Sequence, residues 1–217
     1  MTLDLSADEV LTTTRSVRKR LDFDRPVDRS TVLECIEIAL QAPTGSNSQG
    51  WQWMVIEDDA KKRAISALYK KNFDVYTSQP GREYPDGDTR AERRDLVRSS
   101  ADYLSENFHR SPFLVIPLIE GRLDEGLNSF AQASAWGSIL PAVWSFMLAL
   151  RARGLGSAWT TLHLPDEQEA AEILGIPFDR YTQAGLFPVA YTKGTDFKLA
   201  ERLPAAELTH WDTFGNH

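Results

Sequence analysis

The stretch at residues 127–154, LNSFAQASAWGSILPAVWSFMLALRARG, limits the possible folds more than any other part of the chain. Phe130, Ala133, Gly137, Leu140, Trp144 and Leu148 step by three and four, as one face of a helix does. Trp136, Ile139, Val143, Phe146 and Leu150 lie off that stripe and are just as apolar. A helix that is apolar nearly all round has to be buried on more than one side. With 217 residues the chain amounts to one domain, 1–217, so the second side is either the interior of the same monomer or a partner subunit. Ala131, Ala133, Ser134, Ala135, Gly137 and Ser138 would let another helix approach closely. Pro141 removes one backbone donor and predicts a kink.

The elements around this helix are strands and further helices. Ser6 and Glu9 form a capping box and start a helix near residue 7. Asp28 reads as the N-cap of a second helix, with Val32, Leu33, Ile36, Ala39 and Leu40 on one face and Pro43 as its stop. WQWMVIE at 51–57 reads as a strand and DDAKKRAISALYKK at 58–71 as a helix. Residues 77–95 are the most polar stretch, an expected loop or lid running into a charged helix. PFLVIPLI at 112–119 is apolar on both faces and reads as a central strand. Residues 156–163 and 182–192 read as two more strands, with a helix between them that Gly175 stops. The tail, 194–217, carries Phe197, Trp211 and Phe214 and is too aromatic to float. Strands and helices mix without strict alternation, which favours α+β over a doubly wound parallel sheet.

Several function classes are disfavoured. A net charge of −7 argues against a nucleic-acid partner. No uninterrupted apolar run approaches the roughly 20 residues that span a bilayer, so no membrane role is expected. The acidic amino terminus lacks the features of a signal peptide, and the single cysteine, Cys35, excludes an internal disulfide; both point to a cytoplasmic protein. Cys35, beside Ile36, reads as a small core residue. The four histidines have no metal-ligand spacing, so no metal is expected. No nucleophile elbow, Walker A motif, complete dinucleotide fingerprint or pair of acids stands out. Either the chain is not an enzyme or a cofactor carries the reaction.

Two stretches favour a cofactor. In TTRSVRKR, residues 13–20, Arg15 and Arg18 with the Ser16 hydroxyl could converge on one phosphate, or could form a solvated basic turn. In APTGSNSQGWQW, residues 42–53, Asn47, Gln49 and the backbone near Gly45 match the donors and acceptors on the edge of a pyrimidine-like ring. Trp51 and Trp53 would supply apolar walls; the plainer alternative is a capped helix end leading into a core strand. A phosphate clamp, an amide-rich turn and aromatics are together what a mononucleotide with a flat ring requires.

RSVR, APTGSNSQGWQW, GLGSAWTTLH at 154–163 and FPVAY…LAERLP near the end together resemble the FMN-dependent nitroreductase family, in the expected order over most of the chain. The resemblance implies an α+β fold with a central mixed sheet flanked by helices, built as an intertwined homodimer with two FMN molecules at the subunit interface. It implies that Arg15, Ser16 and Arg18 hold the phosphate and ribityl chain. Pro43, Thr44, Gly45, Asn47 and Gln49 would come from the other subunit. Thr160, Thr161, Leu162 and His163 would lie along the flavin ring, and Arg202 would return to the phosphate. Residues 72–111 would be the variable lid, and residues 194–217 an extension wrapping the partner. Many members carry a basic residue where this chain has Thr14, another at Ala200, and a proline at Gly50.

The implied activity is an oxidoreductase with no catalytic residue beyond the flavin. NADH or NADPH reduces FMN, and a small-molecule acceptor such as a nitroaromatic or quinone reoxidises it in a ping-pong cycle. His163 is a candidate beside the ring, or else a packing histidine at a strand end. The alternatives are a protein that sequesters FMN without turnover and a specialised reductase or dehalogenase. For the last, Tyr76, Arg82 and Tyr84 are the candidate acceptor contacts.

Overall fold

The computed structural model describes residues 2–81, 83–84, 88–123 and 126–217. Arg82 lies outside them. Helix α1, Ala7–Thr13, starts with the full capping box: Ser6 Oγ accepts from Glu9 N, and Glu9 Oε2 accepts from Ser6 N at 2.8 Å. Helix α2, Arg29–Ala39, follows the short strand β1, Leu21–Asp22. It ends four residues before Pro43 in turns that pair Gln41 N with Ile38 O and Ala42 N with Ala39 O. Strand β2 is Trp51–Ile56. Helix α3, Asp59–Ser78, begins with Asp58 accepting from Lys61 N. It outruns the expected 58–71 because Ile65, Leu68, Tyr69 and Phe73 continue one buried face past Lys71. The polar stretch leads into α4, Thr89–Glu92, and α5, Arg94–Asn107, as its composition indicated.

Strand β3, Phe113–Glu120, is buried along all but its last residue and forms the centre of the sheet. It pairs antiparallel with β2, with β5 (Tyr181–Gln183) and with β6 (Phe187–Thr192). Strands β1 and β4 (Leu155–Gly156) pair antiparallel with β6. Among the described residues every strand pair is antiparallel, where a mixed sheet was expected; the one parallel contact, Ser16 with Ser157, is an isolated bridge outside the strands. Phe113, Val115 and Ile119 pack towards α2 and the long helix α6, Ser129–Ala152; Leu114, Ile116 and Leu118 pack towards α3, α5 and α7, Glu167–Leu174. The sheet thus has a core on each side, and each fully buried side chain such as Phe108, Phe146 or Phe187 contributes about 1.5–3 kcal/mol. Cys35 is fully buried in the first core, where desolvation pushes its thiol up to about 11.

Two expected strands come out differently. In the first, 156–163, only Leu155 and Gly156 pair with β6; Trp159 then packs on Phe187 at 5.3 Å and Thr160 bridges Leu186. The second, 182–192, is cut into β5 and β6 at Gly185, whose φ of 148° brings it against Phe187 and Thr160 O with no room for a side chain. A last short helix, α8, covers Ala205–Leu208.

Helix α6 alone among the described helices is long and apolar enough to cross a membrane. Its C-terminal half is a core element here, with Ile139, Val143, Phe146 and Leu150 fully buried and the helix continuing through Pro141. Its other face stays open: Phe130 is 81% exposed, and Trp144 stands at the surface. The tail beyond Phe197 is equally uncovered, with Leu199, Trp211 and Phe214 all exposed.

Candidate cofactor site

Beyond α1 the backbone turns extended at Thr14, and residues 15–18 run beside the segment that follows β4. Val17 N donates to Ser157 O at 2.7 Å, which sets the basic motif against the start of the late segment. Val17 is buried, Ser16 is exposed, and Arg15 is half-buried. Arg15 Nε and Nη2 are buried and have no hydrogen-bond partner. Burial, and then the neighbouring guanidiniums of Arg202, Arg93 and Arg20, push its pKa down from the usual arginine value. Asp196 is occupied by Arg20 at 2.5 Å, and Glu201 meets Arg93 at 3.4 Å in solvent. A charged donor with buried, unpaired N–H groups among like charges is costly, and an anion offsets that cost. Arg15, exposed Ser16 and Arg202 therefore form a donor set that fits a phosphate monoester. Arg18 lies apart from them. It is half-buried, desolvation lowers its pKa, and the titrating group that acts on it is the Tyr69 phenol.

The amide-rich turn is built on α6. Gly45 N donates to Ser138 Oγ at 3.0 Å, and that hydroxyl donates to Ser134 O. Within the turn Gln49 N donates to Thr44 Oγ1, and Gln49 Nε2 donates to Asn47 Oδ1. Ser46, Asn47 and Gln49 all have φ between 51° and 54°, left-handed backbone that costs about 1–2 kcal/mol for a residue with a side chain. Strain of this kind gathers at ligand-binding turns. The turn borders a groove of about 430 Å³ with Phe130, Ala131 and Glu120 on its other walls. Pro43 precedes it on the partly exposed connection from α2. Trp51 and Trp53 do not line this groove: Trp51 is 8% exposed in the core, and Trp53 packs on Phe146 at 5.3 Å. The amide turn engages α6 at Ser138 and the arginine cluster engages it at Arg151, about 20 Å apart along the helix axis at 1.5 Å per residue.

In the late segment, Thr160 is buried and its Oγ1 donates to Leu186 O at 2.5 Å. Thr161 is exposed, and Leu162 packs partly against the second core. His163 is fully buried, with Nε2 3.1 Å from Gln183 Oε1 and Nδ1 unpartnered. Desolvation holds it down at about 4, so it is a neutral core imidazole at neutral pH. Gln183 hands the connection to Glu167, which forms a two-pronged ion pair with Arg122.

The sequence reading passed over Arg20, Arg93, Ser157 and, above all, Arg151. Arg151 is 5% exposed, near the end of a helix whose other buried residues are small or apolar. A lone arginine on so apolar a helix was the visible signal. Its Nε donates to Thr13 Oγ1 and its Nη2 to Thr195 O, both at 3.0 Å. It therefore ties the end of α1 to the root of the tail, where Phe197 lies under the Arg15, Arg20 and Arg151 guanidiniums at 6.0, 4.3 and 5.0 Å.

Comparison with known proteins agrees with this fold. The chain is 27% identical over 151 residues to the 5,6-dimethylbenzimidazole synthase of Rhodospirillum rubrum, covering 67% of this chain and 65% of that one. It is 27% identical over 187 residues to the iodotyrosine deiodinase of Drosophila melanogaster, covering 85% and 62%. The chain thus spans slightly less than two thirds of the length of these two relatives. It is 28% identical over 204 residues to the 4-nitrobenzoate reductase of a Nocardioides species, covering 82% and 78%. Among solved structures, an iodotyrosine deiodinase bound to FMN and 3-iodo-L-tyrosine superposes with a TM-score of 0.69 at 22% identity, covering 94% and 98%. An FMN-dependent nitroreductase from Mycobacterium smegmatis in complex with NADPH gives 0.67 at 18%, covering 95% and 98%. The description "Nitroreductase family" matches residues 11–191, and this chain belongs to that family.

Proposed function

We propose that this protein is an FMN-dependent oxidoreductase that draws electrons from NADH or NADPH and passes them to an electron-poor small molecule such as a nitroaromatic or a quinone. The observation that carries the reading is the partly buried Arg15 guanidinium set among the like charges of Arg202, Arg93 and Arg20, a concentration of positive charge that an anionic cofactor offsets. FMN, when bound, supplies the reversible two-electron chemistry that couples donor to acceptor. Arg15 and Arg202 hold its phosphate, the Ser16 hydroxyl adds a neutral donor, and Arg93 adds positive potential. Thr161 is the exposed member of the late segment and the one available to a ring. Thr160, Leu162 and His163 stabilise the backbone beside it.

Asn47, Gln49 and the backbone at Gly45 address the ring edge, and Pro43 and Thr44 hold their turn. One chain keeps this turn about 20 Å from the arginine cluster along α6, so each site is completed by a second copy. The open face of α6 at Phe130 and Trp144, and the exposed tail at Trp211 and Phe214, support a homodimer with the tail, 194–217, laid over the partner.

A second reading, reductive removal of halogen from a phenol, is favoured by the Drosophila relative and by a cavity of about 540 Å³ between α3 and α5. Tyr76, Tyr84, Arg94 and Arg98 line that cavity, which supports reading the described part of residues 72–111 as the region that selects the acceptor. The test is steady-state oxidation of NADH and of NADPH by FMN-loaded protein, with nitrobenzoate, a quinone and a halophenol as acceptors. Turnover with the first two supports the main reading, and turnover with the halophenol alone supports the second. Bound FMN that neither nicotinamide reduces contradicts both and indicates sequestration.

A further inference from the structure

A small cavity borders Arg15. Arg15, Arg151, Ser157, Thr13 and Thr14 supply its polar lining, and Val17, Met147 and Phe197 contribute apolar walls. The space open to a water-sized sphere is about 10 Å³, room for a single small occupant and far too little for a phosphate. Four buried polar atoms of Arg15, Arg151 and Ser157 have no partner: Arg15 Nε, Arg15 Nη2, Arg151 Nη1 and Ser157 Oγ. Arg15 Nε and Nη2 form one edge of the guanidinium fork, the edge that grips an anion with two parallel bonds.

The carboxylates that act on this region are committed elsewhere. Glu9 Oε2 accepts from Ser6 N and Ser6 Oγ, and Asp196 Oδ1 accepts from Arg20. The two threonine hydroxyls of the lining already donate, Thr13 Oγ1 to Glu9 O and Thr14 Oγ1 to Val10 O. The residues lining the cavity therefore carry three unpartnered guanidinium nitrogens and one hydroxyl, with two positive charges and, among the described residues, no carboxylate in the lining. Water fits this lining poorly, because it must also place its own two protons. A halide accepts all four bonds and carries the charge that the two guanidiniums lack.

We propose that Arg15, Arg151 and Ser157 enclose a binding site for one monatomic anion, chloride in ordinary buffers. The anion holds the Nε–Nη2 edge of Arg15. The site does not depend on the flavin reading: halide binding without FMN binding would refute the latter alone.

The experiment is a thermal melt of the purified full-length protein, free of added FMN, at constant ionic strength with sodium gluconate, sodium chloride or sodium bromide. At chloride about ten times its dissociation constant, the midpoint is expected to rise by about 3–6 °C over gluconate. The Arg151→Met change should abolish that rise and Ser157→Ala should reduce it, while Arg202→Ala should leave it intact. Because Arg151→Met also removes the bonds to Thr13 and Thr195, crystals soaked in bromide provide the independent check: an anomalous peak between Arg15 and Arg151. Equal midpoints in gluconate and chloride, a rise that disappears with Arg202→Ala, or no bromide peak in the cavity would each overturn the proposal.

Discussion

Replacing Arg15 with methionine should move fold stability and cofactor affinity in opposite directions. Methionine keeps much of the side-chain length and apolar stem but removes the guanidinium. In the protein without cofactor, two buried N–H groups of Arg15 lack partners and the nearest charges are the like charges of Arg202, Arg93 and Arg20. An unsatisfied buried donor costs about 1–3 kcal/mol, so the variant should be more stable in chloride-free buffer, by about 2–12 °C in melting midpoint at this chain length. The same change removes a charge-assisted contact to phosphate worth about 1.5–3 kcal/mol, which weakens FMN binding by about 10- to 150-fold. Riboflavin has no phosphate, so its affinity should not change. The assay is a titration of flavin fluorescence with both ligands for wild type and variant, alongside melts in gluconate. Equal losses for FMN and riboflavin would refute the phosphate assignment, and a large drop in stability without cofactor would refute the claim of unpaired buried donors.

Three other perturbations have expected outcomes. His163 is held neutral, at about 4 when folded against an ordinary 6.5, so the unfolded chain binds the extra proton and stability falls as pH drops through that window; the loss between pH 7 and pH 5 should be about 2 kcal/mol in urea unfolding, and His163→Leu should flatten it. Placing glutamate at both Phe130 and Trp144, on the open face of α6, should weaken self-association at least about 30-fold by sedimentation while the circular dichroism spectrum stays unchanged. The Gly185→Ala change puts a Cβ 2.9 Å from the Phe187 ring at a φ of 148° and should cost about 1–3 kcal/mol in denaturant unfolding.

The parts of the fold that were legible in the sequence have short-range causes. The capping box at Ser6 and Glu9, the left-handed stop at Gly175 and the two-faced strand β3 each follow from a few neighbouring residues. The two apolar stripes of α6 were visible as well: the one through Ile139, Val143, Phe146 and Leu150 packs on the sheet, and the one through Phe130, Gly137 and Trp144 stays exposed. The breaks in the later strands were not legible, because they depend on Trp159 meeting Phe187 and on Gly185 closing against Thr160. Within the candidate site, Arg15, Ser16 and Arg202 were named from local motifs; Arg15 lies over Phe197 and feels the charge of Arg202, and Ser16 is exposed next to it in the chain. Arg18 looked equivalent to Arg15, yet it sits near Tyr69, since the turn before β1 sends the two side chains to different places. Arg151 was missed because its contacts, Thr13 and Thr195, lie far away in sequence.

The central claim is that FMN is gripped by the Arg15 cluster of one copy and the amide turn of another. Sedimentation velocity recorded at both 280 nm and 450 nm on FMN-reconstituted protein tests it most directly. The account predicts one boundary absorbing at both wavelengths, at twice the chain mass of 24.4 kDa and with one flavin per chain. A monomer carrying a full complement of flavin, or a dimer that stays colourless in excess FMN, would contradict it.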